Sequence, residues 1–207
     1  MPWPPTQPDR ENVAPDELAA FDQAVGRQLA RGNKDAGYYG RLMGSPVLGN
    51  LLSQIGRVMR AIGEKGNSFT HVQREFVDQI LSKDFKTNVI QRLHLNDALS
   101  AGIPIETIEA IRYGREEGLS ESDKQLADYI RRVISGRIDK ESYEAMEAKL
   151  GDRGTLEYTI FILFLQLTIR LEQAVGMPSL SDEELDRLIA EYRAGTREVL
   201  DYRDRIN

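Results

Sequence analysis

The sequence predicts an all-α fold, and three observations carry that prediction. From Pro15 onward apolar residues recur every three to four positions, with no convincing strand. Short Gly, Ser, Asp and Pro punctuation separates these segments. The segments also begin on hydroxyl or acidic residues and end on glycine, the residue types that cap helix starts and stops.

Taken in order, residues 1–15 hold five prolines, which fix φ and remove backbone donors. They are expected to form an extended or loosely ordered arm, able to wrap a partner subunit, ahead of a single domain over residues 16–207. "DELAAFDQAVGRQLARG" starts at Asp16 and stops at Gly32. In "GSPVLGNLLSQIGRVMRAIGEKG", Ser45 can cap and Pro46 takes the first helical position, where its missing N–H costs nothing. "FTHVQREFVDQILSKD" opens on Thr70 with Gln73 three residues later, a capping box, and Val72, Phe76 and Ile80 form one stripe. "TNVIQRLHLNDALSAG" ends at Gly102, and "IPIETIEAIRYG" at Gly114. Two further helices run from Ser120 to Gly136 and from Asp139 to Gly151. "TLEYTIFILFLQLTIRLEQAVGMP" is apolar around most of its circumference and is expected to be surrounded by other helices. The last segment, from Ser181 or Asp182 to the end, is amphipathic and highly charged. The sum is a bundle of about eight helices.

Composition excludes several functions. A net charge of -6 lacks the clustered cations that phosphate binding needs, so no nucleic-acid partner is expected. With no cysteine there is no disulfide, thiolate nucleophile or thiol peroxidase chemistry. The apolar core of 158–169 is shorter than a bilayer requires, so no membrane partner is expected. The N-terminal stretch lacks a basic start followed by an apolar run, and the cytoplasm is the expected compartment. Neither a phosphate-cradling glycine loop nor a G-x-S-x-G elbow is present.

One helix carries a residue that asks for chemistry. At about 100° per residue Thr87, Ile90, Gln91, His94 and Ala98 share a face, which directs His94 towards neighbouring helices. Burial favours the neutral ring, a competent proton acceptor when a carboxylate orients its other nitrogen. Candidate carboxylates are Asp97, on the same helix, and Glu75, on the preceding helix, which the short "SKDFK" connection makes an antiparallel neighbour. His71, Glu75 and His94 offer two imidazoles and a carboxylate to a metal. Their spacing matches no fixed metal motif, however, and His71 near the helix start is expected to be exposed, so no metal is expected. Tyr38, Tyr39 and Tyr113 are aromatic residues able to line a pocket.

The string "HLNDALSAGIPIETIEAI", with His94, Ala98 and Gly102 in the spacing H-x-x-x-A-x-x-x-G, resembles the signature of the carboxymuconolactone decarboxylase family. "GRLMGSPVLGNLL" and "FTHVQREFVDQIL", with the pair Arg74 and Glu75, are similar to that family's upstream helices, and the likeness extends over about residues 38–178. It implies the alkylhydroperoxidase D-like bundle and a homo-oligomer, whether dimer, trimer or hexamer. Where the peroxidase branch has its cysteines this chain has Thr87 and Ile90. The family's relay glutamate falls on Glu75. Decarboxylase-like members often carry a glutamate at the position of Ile90 and an aromatic residue at that of Gln91, and both are absent here. The expectation is therefore an acid/base enzyme of decarboxylase, lyase or isomerase type, needing no cofactor, acting on a small organic acid or lactone. His94 and Glu75 would be catalytic, and Thr87, Ile90, Gln91 and Ala98 would line the substrate site. The alternative is a non-catalytic ligand-binding or assembly protein that keeps the fold.

Overall fold

The computed structural model describes residues 6–30, 37–62 and 65–205, so Gly32 and the start of the proline-rich arm lie outside it. The described residues are helical throughout, with no strand among them. They pack as two compact units, the first formed by residues 1–61 and 171–177, the second by residues 62–170 and 178–207.

In the first unit α1 (Leu18–Ala30) is followed by the short α2 (Gly37–Arg41) and by α3 (Pro46–Ile62), which Pro46 opens as its fixed φ allows. Phe21, Ala24 and Met43 form a small core, on which Val13 of the arm also packs. The described end of the arm is therefore anchored, and Arg10 adds a two-pronged ion pair to Asp22 at 2.7 Å. A Cβ at Gly49 on α3 would press on the end of the Met43 side chain and crowd the Leu42 carbonyl, so a larger residue there would make Met43 shift. Leu48, Leu51, Ile55 and Val58 of α3 are left exposed.

The second unit is built around α4 (His71–Asp84). Thr70 accepts from the Gln73 backbone and Gln73 reaches back to the Thr70 N–H, the expected capping box. Every residue from Arg74 to Ser82 is buried, whereas Val72 is exposed, so the stripe begins at Phe76 rather than Val72. A two-residue turn at Phe85 and Lys86 leads to α5 (Asn88–Ala101). Residue 79 meets 91 and residue 75 meets 94, so the two helices run antiparallel. Gly102, at φ 104°, ends α5 in the left-handed conformation, and α6 (Ile105–Arg112) follows.

Next come α7 (Glu121–Ile134), with Ser120 accepting from the Asp123 backbone as its N-cap, and α8 (Lys140–Ala174). Gly151 at φ 70°, ψ 168° breaks α8 at the boundary foreseen in the sequence. By length and apolarity α8 is able to cross a membrane. Its burial pattern is amphipathic. Tyr158, Ile162 and Ile169 are fully buried, while Leu156, Ile160, Leu163 and Leu167 are exposed. Among the described residues the helix is thus covered on one face only, not surrounded.

The last helix, α9 (Asp182–Arg193), starts in a capping box of Ser181 and Glu184. It stops well short of the C-terminus, where one long segment was expected, because the chain turns at Gly195, φ 67°. The following residues return to α5. Asn96 accepts from the Leu200 N–H at 2.9 Å and donates to the Leu200 carbonyl at 3.0 Å, so a side-chain amide pairs with a peptide unit as a strand would. Tyr202 then donates its N–H to Ser100 and lays its ring on His71.

Candidate functional site

The α4–α5 hairpin brings a set of polar side chains into the interior of the second unit. His71, Glu75, Asp78 and Ser82 recur at intervals of four, three and four along α4, which places them on one face. That face is covered by α5 and the C-terminal segment, so groups that would ordinarily be solvated are enclosed.

Glu75 is the centre of the set, and its carboxylate is 0% exposed. Oε1 accepts from Arg74, with Nη2 at 2.5 Å and Nε at 3.1 Å, and lies 3.2 Å from His71 Nε2. Oε2 lies 3.0 Å from His94 Nδ1. Asp78 Oδ2 is 3.4 Å from the same nitrogen, and Asp78 is only 1% exposed. The His94 side chain is 21% exposed, and its Nε2 has no hydrogen-bond partner among the described residues. One ring nitrogen is therefore held by carboxylates and the other is left available.

The charges follow from these neighbours. Burial, the largest influence on His94, opposes the imidazolium, but the facing Asp78 and Glu75 carboxylates outweigh it and hold the ring's pKa up to about 9. Burial also opposes the Glu75 carboxylate, yet His94, Arg74 and His71 together keep it well below the usual carboxylate range. His71 goes the other way: burial and the Arg74 charge push its pKa down to about 4, against the pull of Glu75 and Asp97. Near neutrality the cluster holds a Glu75 carboxylate, a His94 imidazolium and an uncharged His71.

Several expectations are corrected here. His71 is buried, not exposed, because the Tyr202 ring stacks on it at 3.8 Å and 9°. Of the two candidate carboxylates Glu75 meets His94, while the charge of Asp97 acts on His71. The group of ligand-type atoms lying within 4.8 Å of one another is Glu75, Asp78 and His94, with Asp78 in the place considered for His71.

The expected substrate-lining residues Thr87, Ile90, Gln91 and Ala98 are all buried. Gln91 donates to Gln79 at 3.1 Å and accepts from Arg112 at 3.3 Å. Thr87 takes the N-cap position of α5 without a side-chain cap bond. Ile90 and Ala98 lie in the core. A cavity of about 710 Å³ opens at the α4–α5 turn, walled by Ser82, Lys83, Lys86, Asn88, Arg112, Tyr113 and residues of the α9 start; neither His94 nor Glu75 lines it.

Asp78 and Gln79 escaped the sequence reading because isolated polar residues on a helix ordinarily face water. Their signal was available: Phe76, Val77, Ile80 and Leu81 interleave with them, which leaves α4 no clean solvent face. No protein family, curated protein or solved structure matches the chain.

Proposed function

We propose that the protein is an acid/base enzyme of lyase or isomerase type acting on a small organic acid or lactone, on an alkylhydroperoxidase D-like bundle that works as a homo-oligomer. The observation that supports this reading above others is the 3.0 Å contact of His94 Nδ1 with the fully buried Glu75 carboxylate, while Nε2 stays unpartnered among the described residues. Such a ring is oriented by one nitrogen and reactive at the other. As an imidazolium it attracts a carboxylate or a polarised lactone carbonyl. In a decarboxylation, the electron pair left on carbon as CO2 departs takes up the Nε2 proton, and Glu75 stabilises the charged ring beforehand. Asp78 shares the Nδ1 proton and raises the ring's basicity, so reprotonation from water is favourable.

A second reading, a non-catalytic assembly protein, is favoured by the exposed apolar stripe of α8, Leu156, Ile160, Leu163 and Leu167. Kinetics decide between them. His94→Ala and Glu75→Gln, each with its helical circular dichroism intact, are expected to lower turnover of a small lactone or β-keto acid by about 100- to 10,000-fold. Undiminished turnover in both variants would rule the acid/base mechanism out.

A further inference from the structure

We propose that Glu75, Asp78 and His94 form a site for one divalent first-row transition cation, with a small carboxylate or hydroxide as its outer ligand. Geometry is the first argument. An ion bonded at about 2.1 Å to nitrogen and oxygen separates adjacent ligand atoms by about 3.0 Å in an octahedral shell and about 3.4 Å in a tetrahedral one. His94 Nδ1 lies 3.0 Å from Glu75 Oε2 and 3.4 Å from Asp78 Oδ2. The three ligand atoms lie within 4.8 Å of one another, so closing them onto an ion asks for side-chain rotation only.

Support around the ligands is the second argument. Arg74 holds Glu75 Oε1 by two hydrogen bonds, with the His71 ring 3.2 Å from the same oxygen, which leaves Oε2 to face His94. This is the arrangement by which outer groups orient a metal-ligating carboxylate. The enclosed charge is the third. With His94 unprotonated, as an ion at Nδ1 requires, two carboxylates at 0% and 1% exposure beside one guanidinium leave a single negative charge that a cation offsets. A divalent ion would turn that into a single positive charge, which a small anion balances. Arg74 Nη1 is a further buried donor with no acceptor among the described residues, able to donate a hydrogen bond to that anion.

Three protein ligands leave coordination positions open, as in sites that bind a ligand rather than only brace a fold. The inference stands on ligand geometry and goes beyond the acid/base reading. Ion and shared proton exclude each other at Nδ1, so failure of cation binding leaves that reading untouched.

The test adds Co2+ to the chelator-treated full-length chain and follows visible absorption and equilibrium dialysis. One Co2+ per chain is expected, with d–d bands, and Zn2+ should displace it. Asp78→Asn and His94→Gln should each weaken binding about ten-fold or more, whereas Asp186→Asn, in the separate cavity, should not. No retained Co2+ or Zn2+, or wild-type retention by Asp78→Asn, overturns the site. Should neither variant fold, substoichiometric Mn2+ added to the wild-type chain must broaden the NMR ring signals of the two histidines, and unbroadened signals overturn the proposal equally.

Discussion

His71 and His94 share one carboxylate yet are driven in opposite directions, and stability against pH records the difference. The unfolded chain protonates His71 near the ordinary 6.5, while the folded chain resists until about 4, so stability falls as pH drops through that window. His94 supplies the alkaline limb. Its proton is kept in the fold up to about 9 but released near 6.5 on unfolding, so its contribution is complete below 6.5 and lost as pH rises towards 9. The urea midpoint is expected to be highest near pH 6.5. In His94→Gln the alkaline decline should flatten. A wild-type midpoint that does not fall between pH 6.5 and 9 would contradict the His94–Glu75 pairing.

At the scale of the elements, the α4–α5 turn holds a conformation that its residue resists. Lys86 sits at φ 52°, the left-handed region that glycine tolerates and a side chain pays about 1 kcal/mol to enter. Lys86→Gly is expected to raise unfolding free energy by about 1 kcal/mol, read by urea denaturation, offset in part by the freer unfolded chain. Helix ends were the most legible feature of this sequence. The boxes at Thr70 and Ser181, the cap at Ser120 and the glycine stops at Gly102, Gly114, Gly136 and Gly151 act through bonds spanning only a few residues, so local spacing is enough to place them. Glu75 facing His94 was legible for the same reason, since a short connection fixes which faces meet. What was hidden depends on residues far apart in sequence. Nothing near His71 announces that Tyr202 will cover it, and the enclosure of Asp78 and Gln79 comes from helices and segments that arrive later in the chain. Gly195 was visible as a residue, but the charged amphipathic run on both sides concealed it as a stop.

Across the whole molecule, two helices leave apolar seams uncovered. Leu156, Ile160, Leu163 and Leu167 of α8 are spaced four, three and four, and Leu48, Leu51, Ile55 and Val58 of α3 are spaced three, four and three. Those are the intervals of a packed helical seam, and soluble monomers seldom leave such stripes open. They would supply the contact that the proposed homo-oligomer needs. Light scattering is expected to give a mass that is a multiple of the 23.4 kDa chain. Leu163→Glu should shift it towards the monomer with helicity retained, because a charge buried at the seam's centre costs several kcal/mol unless paired. A monomeric wild type would remove this assembly.

The hold of Asn96 on Leu200 spans 104 residues of chain and rests on two hydrogen bonds, while the Leu200 side chain itself points outward at 55% exposure. A segment fastened by a few hydrogen bonds and one buried ring, that of Tyr202, detaches by local opening at smaller free energy than global unfolding. Such an opening would give the His71 ring its own schedule of contact with water, uncovering it while the helices beneath stay folded.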